Sequence, residues 1–210
     1  MLPGTGAGGG AAPFRAAGRG DGGNGLWRRR RVWHAERMSE QRREHTVRPA
    51  EPRDAAGIAA VHVRTWQHAY AGLVPDSYLS SLDVARRTEV WQRDLAHGSR
   101  IRAWVATVDA EEVVGFISLG PALDEDADRT ALQVYALYLD HGMWGSGVAR
   151  ELLRTAMQDV PPRIPVTLWV FADNERARHF YRRHGFQPDG TERTEDVGGA
   201  DLLEVRYRRR

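Results

Sequence analysis

Residues 137–149 read LYLDHGMWGSGVA. An apolar run enters a turn bearing Gly142, Gly145 and Gly147, and residues with helical spacing follow. Such a turn gathers free backbone N–H groups and the positive end of a helix dipole at one point. That point suits a phosphate or pyrophosphate. Gly145 and Gly147 leave the backbone open to close approach, since no side chain stands in the way. The same residues also fit a tight strand–helix turn with no ligand. The turn lacks the Gly-Lys-Ser/Thr of a nucleoside-triphosphate loop, and its spacing is not G-x-G-x-x-G. Farther on, 166–186 read VTLWVFADNERARHFYRRHGF. Tyr181 in this stretch carries a phenol whose ordinary pKa of about 10 makes it a proton donor at neutral pH. On residue type alone it also fits as an ordinary aromatic in a helix stripe.

The segment WGSGVA, Trp144 to Ala149, resembles the acyl-CoA pyrophosphate loop of the GNAT superfamily of N-acetyltransferases, Q/R-x-x-G-x-G/A. Gly147 and Ala149 match, while Trp144 stands at the Gln/Arg position, so one polar side chain is lost and the backbone cradle kept. The stretch 166–186 is similar to the strand and helix that follow that loop: an Asn after the strand, an Ala three residues on, then Phe-Tyr and Gly-Phe. WQHAYAGLVP, from Trp66, resembles a first-helix pattern of bacterial members. With three segments in order, the chain from about residue 46 onward is identified as a bacterial member.

The resemblance implies a mixed central sheet of six to seven strands with four helices, α/β (α+β), splayed between the fourth and fifth strands. It implies acetyl-CoA as co-substrate and no metal. The pantetheine arm would pair with the backbone of Leu137, Tyr138 and Leu139. The pyrophosphate would sit among Trp144, Gly145, Ser146, Gly147, Val148, Ala149 and Arg150. Asn174 would contact the arm or order its strand end, and Tyr181 would point at the thioester sulfur. A backbone N–H near Leu137 would polarise the acetyl carbonyl. The implied reaction moves an acetyl group to a primary amine on a small molecule or peptide, by direct attack in a ternary complex. The alternative is a non-catalytic acyl-CoA-binding or interaction module. Many relatives place a Glu base on the central strand, where this chain has Gln133. Tyr135, His68, His62, Asp124 and Glu125 are the remaining bases, and none is assigned. Trp66, Tyr70, Tyr78 and Tyr135 would wall the acceptor pocket, and Asp124, Glu125 and Asp126 would attract a cationic acceptor.

These residues need elements to hold them. Strands are predicted over 45–49, 101–108, 113–119, 132–139 and 166–171, with two more within 190–208 around Gly198-Gly199. Ala55, Ile58, Ala59, His62, Trp66 and Ala69 predict one amphipathic helix. Others are expected over 76–95, 148–158 and 174–184, the last closed by Gly185.

Composition sets the outer bounds. The 210 residues include no Cys, which excludes thiolate catalysis and Cys-based metal centres. No apolar run approaches the roughly 18 residues of a membrane span. A cytoplasmic protein with no membrane partner is the expectation. Residues 1–25 are rich in glycine, and a disordered Gly/Arg-rich leader is expected over 1–44, ahead of an N-acetyltransferase domain over 45–210. Met38 reads as the natural start. Within residues 1–37, Arg15, Arg19, Arg28–Arg31 and Arg37 oppose only Asp21 and Glu36, and acids outnumber bases in the rest. The folded domain is therefore not expected to bind nucleic acid. A homodimer would be ordinary for this family, with the C-terminal strand pairing across it.

Overall fold

The computed structural model describes residues 44–109 and 111–209. The leader expected over 1–44 lies, Glu44 apart, outside the described residues.

Strand β1 (His45–Pro49) meets helix α1 (Ala55–Ala69) through a 3-10 turn at Pro52–Asp54. The Asp54 carboxylate binds this corner, accepting from the Glu51 N–H at 2.8 Å and from Arg48 at 2.7 Å. The helix expected over 76–95 is two helices, α2 (Asp76–Ser81) and α3 (Val84–Asp94). Leu82 is extended, and Asp83 caps α3 by accepting the Arg86 N–H at 2.7 Å. A short acidic side chain satisfies orphan helix donors, so it starts a helix rather than continuing one. Apolar spacing alone hides that break. There are consequently five α-helices among the described residues, not four.

Strands β2 (Arg102–Val108), β3 (Glu112–Pro121) and β4 (Leu132–Leu139) follow as antiparallel neighbours. Helix α4 (Val148–Gln158) crosses over to β5 (Val166–Phe171), α5 (Glu175–Arg183) follows, and β6 (Gln187–Val197) and β7 (Ala200–Arg209) close the chain. The seven strands lie in the order β1-β2-β3-β4-β5-β7-β6. Only β4 and β5 run parallel, and they pair through three residues each, Leu132↔Val166 to Val134↔Leu168. Beyond that point they part. The C-terminal strand β7 is interior, paired on both sides, so it offers no edge to a second copy. The edges of the sheet are β1 and β6, and β6 is largely charged and polar.

One face of the sheet carries α4 and α5, with Val148, Leu152, Leu153, Ala156 and Tyr181 packed on Ile117, Leu168 and Tyr207. The other carries α1 and α3, with Ile58, Ala59, Val61 and Trp91 on Val105 and Phe116. Amphipathic helices on both faces leave β4 and β5 near-continuously apolar, as read from the sequence.

A buried charge ties the acidic loop to the sheet. Arg206 donates to Asp126 at 2.7 Å, to Asp189 at 2.8 Å and to Thr191 at 2.9 Å, and is only 6% exposed. Asp126 therefore neutralises an internal arginine rather than facing an acceptor. Removing one partner of a buried pair costs about 3 kcal/mol. At roughly 2–4 °C per kcal/mol for a domain of this size, Arg206→Met is expected to lower the melting temperature by about 10 °C. A calorimetric scan within 2 °C or so of wild type would contradict that role.

Candidate active site

The parting of β4 from β5 makes the site. Asp140 N–H donates to Val114 O at 2.9 Å, which sets the antiparallel alternation along this end of β4. Tyr138 then spends its backbone groups on β3. The backbone groups of Leu137 and Leu139 turn the other way, into the gap. The Leu139 carbonyl is already engaged, accepting from Thr65 Oγ1 at 3.1 Å and Trp144 Nε1 at 3.3 Å. Leu137 N–H and C=O and Leu139 N–H remain for an added strand. Tyr138 contributes its side chain instead. Opposite the Ser118/Leu119 shift, Tyr135 is the extra residue of a bulge, which re-aims side chains at the point of divergence.

The floor of the gap is the N-terminus of α4. Gly147 caps it at φ 98°, after Gly145 at φ 78°. A Cβ at either would meet nothing within 4 Å, so these glycines serve backbone conformation and leave an empty cradle. Ser146 N–H and Oγ both turn back to Met143 O, Val148 N–H faces Ser146 Oγ at 3.4 Å, and the Val148 side chain is core. The N–H groups of Gly145, Gly147, Ala149 and Arg150 have no acceptor among the described residues. Open donors gathered in one seat at a helix N-terminus are the chemistry that an anion such as a diphosphate requires. The Arg150 side chain is exposed at the rim. Trp144 gives its indole N–H to Leu139, not to the seat. Over its ring, at 3.6 Å, lies the guanidinium of Arg176 from the first turn of α5. No carboxylate pairs with Arg176 among the described residues, so a cation stands near the position where the sequence lost one.

Above the seat is a cluster of phenols. Tyr181 is buried, and burial, with Tyr138 nearby, pushes its hydroxyl well above the usual range. Burial does the same to Tyr138 and Tyr70. Tyr138 and Asn174 lie near enough to Tyr70 for both to bear on its hydroxyl. The Asn174 oxygen caps α5 by accepting Ala177 N–H at 3.0 Å, and its backbone N–H donates to Phe171 O at 3.0 Å. Asn174 thus orders the turn from β5 into α5. Trp66 and Tyr70 stand edge-on to each other and to Phe171 at 5.0–6.5 Å, with Tyr78 beside Trp66 at 6.2 Å. The whole cleft holds about 1170 Å³.

The base candidates separate by geometry. Gln133 is buried and braces the acidic loop, accepting Leu123 N–H at 3.2 Å. Tyr135 donates its proton to the Pro121 carbonyl. Asp124 accepts Trp169 Nε1 at 2.9 Å and lies 3.5 Å from Arg206. Glu125 is exposed and outside the cleft. His68 lies by the glycine turn, its ring 4.2 Å from His141 and 5.3 Å from Trp144, away from the acceptor wall. His62 packs among Trp66, Phe116 and Tyr138. Burial, then the charge of Arg87, pulls it down to about 3. So weak a base takes no proton from an alkylammonium.

That shift has a consequence for stability. The unfolded chain protonates His62 near pH 6.5, the folded chain only near 3. Between those values the unfolded state binds more protons, so acid weakens the fold; above pH 6.5 the residue adds no pH dependence. Urea unfolding of His62→Phe is expected to show a flatter decline between pH 6.5 and 4 than wild type, and equal slopes would refute it.

Arg176, Arg193 and Glu204 also line the cleft, and apolar periodicity singles out none of them. The signal for Glu204 is parity: it alternates with the core residues Val205 and Tyr207 but lies level with Phe171 across the ladder. Among the described residues no helix is long and apolar enough to cross a membrane, and no three His, Cys, Asp or Glu are grouped to hold a metal.

Known proteins share this arrangement. The chain is 28% identical over 167 residues, 77% of its own length and 91% of the relative's, to the probable N-acetyltransferase Rv2775 of Mycobacterium tuberculosis. It is 26% identical over 168 residues, 78% and 96% of the two lengths, to the L-amino acid N-acetyltransferase AaaT of Escherichia coli. The fold matches the PaiA N-acetyltransferase of Thermoplasma acidophilum, crystallised in complex with coenzyme A, with a TM-score of 0.60 at 20% identity over 80% of this chain and 99% of that one. The model of the acetyltransferase (GNAT) family matches residues 66–186, from the aromatic wall on α1 through the glycine turn to Phe186. With more than half of its length inside that match, the chain belongs to the acetyltransferase (GNAT) family.

Proposed function

We propose that the parting of β4 and β5 is where a ternary complex forms, with direct attack of a primary amine. As a family member the chain is an N-acetyltransferase that takes its acetyl group from acetyl-CoA. The open amides of Gly145, Gly147, Ala149 and Arg150, with Arg176 beside them, would hold the diphosphate. Leu137 and the Leu139 N–H would extend β4 along the pantetheine. When bound, acetyl-CoA supplies a thioester carbonyl carbon as the electrophile. Leu137 N–H is the donor placed to polarise that carbonyl, and Tyr181 the hydroxyl placed to face the departing sulfur. Trp66, Tyr70 and Phe171 exclude water from the acceptor side. Turnover makes one C–N bond and breaks one C–S bond; an ammonium acceptor yields an acetamide, a free thiol and one proton to solvent.

The observation that carries this reading is the set of unsatisfied N–H groups at the start of α4, opening onto the unpaired end of β4. Thiol release from acetyl-CoA with a panel of amines tests it. Acceptor-dependent release supports direct transfer. Binding of acetyl-CoA without release on any amine would leave a binding module.

A further inference from the structure

On the acceptor side of the cleft stands one ion pair. Glu204, on β7 beside Phe171, is 12% exposed, and Arg193 reaches it from β6. Arg193 Nε and Nη2 both converge on a single carboxylate oxygen, Oε2, each at 2.7 Å. That leaves Glu204 Oε1 and Arg193 Nη1 without a partner among the described residues. The guanidinium also lies 4.3 Å over the Trp169 ring, which holds it against the cleft wall. Glu204 and Tyr138 line the same cleft.

We propose that Glu204 and Arg193 are a two-point anchor for an acceptor carrying an ammonium and a carboxylate on one carbon, that is, an α-amino acid with an apolar or aromatic side chain. This rests on the acetyl-transfer reading above and adds the acceptor class and the residues that select it. Glu204 takes the ammonium and receives one proton from it before the nitrogen, then a neutral amine, attacks; the second proton leaves the nitrogen once the C–N bond has formed, and of the two one ends on the thiol and one in solvent. Arg193 takes the carboxylate, a planar fork on a planar anion. The aromatic wall of Trp66, Tyr70 and Phe171 takes the side chain. An acceptor with a lone amine would leave Arg193 facing it, a like charge in the pocket. Glu195 and Asp196 also line the outer cleft and are exposed, as Arg193 is at 46%, but among the described residues neither holds an ion pair.

The test uses the full chain with saturating acetyl-CoA. L-phenylalanine, phenethylamine (the same side chain without carboxylate) and a blocked lysine are compared by thiol release. L-phenylalanine is expected to exceed both others at least tenfold in kcat/KM. Arg193→Met is expected to raise the KM for L-phenylalanine about tenfold more than that for phenethylamine, erasing the preference. Glu204→Gln is expected to lower kcat for both. Should Arg193→Met not fold, Arg193→Lys and the wild-type ratio still decide. Equal or better use of phenethylamine or lysine, or an unchanged ratio in the folded Arg193 variant, overturns the anchor alone. No release from any acceptor, with CoA still bound in a calorimeter, overturns the transfer reading and the anchor with it.

Discussion

Tyr181→Phe is expected to lower kcat by about 10²-fold while CoA affinity changes less than about twofold. The ring is buried in the core cluster against Phe186 and helix neighbours, and phenylalanine fills the same space. What is lost is one hydroxyl at the cleft wall. Its elevated pKa decides the size of the effect. A general acid works best when its pKa lies near the working pH. Burial moves Tyr181 away from that optimum, so in the proposed reaction its part would be hydrogen-bond donation to developing charge on sulfur more than full proton transfer. Hence the low end of the usual range. The same shift fixes a pH signature. The folded phenol stays protonated through the neutral range and past its ordinary value of 10.0. No alkaline fall in kcat below pH 10 should therefore trace to Tyr181, and the wild type and variant should keep parallel profiles from pH 6 to 9. Steady-state thiol release at saturating acetyl-CoA measures both points. An unchanged kcat removes the proton donor from the reading; a changed profile shape assigns the phenol a different environment.

Much of the site is legible in the chain because its parts are local. A strand, a glycine turn and a helix contiguous in sequence make the anion seat, so 137–149 could be read without tertiary knowledge. The same holds for Asn174 and Tyr181, three and ten residues past the end of an apolar strand. What fails to show is set by pairing across the sheet. Which backbone groups of β4 face the gap depends on its register with β3, and that register assigns Tyr138 to the ladder. The acceptor end is assembled from α1, β5, β6 and β7, far apart in the chain, so Glu204 and Arg193 look like ordinary charges in a C-terminal hairpin. Asp124 and Asp126 mislead for the converse reason. Their partner, Arg206, lies about eighty residues away, and nothing local marks an acidic loop as already neutralised. Trp144 is the instructive middle case. Its departure from the loop pattern is visible in one line of sequence, whereas the cation stacked on it arrives from the next helix.

Filling the cradle should have the second large effect. Gly147→Val is expected to weaken CoA binding about 10²-fold. Two physical costs are mixed in that figure. Valine at φ 98° is strained by about 1–3 kcal/mol, and its side chain would fill the open space in which an added Cβ meets no atom within 4 Å. A second substitution separates them. Asparagine enters left-handed backbone several-fold more readily than most residues, so Gly147→Asn keeps more of the turn while still filling the seat. If the seat holds the diphosphate, Gly147→Asn loses CoA affinity with little change in melting temperature, and Gly147→Val loses both. If the glycine serves the turn alone, Gly147→Asn binds CoA as the wild type does. Calorimetric titration with CoA, beside a thermal melt of each variant, reads the two costs on separate axes. Wild-type affinity in both variants would remove the α4 N-terminus as the anchor, and with it the placement of the thioester beneath Tyr181.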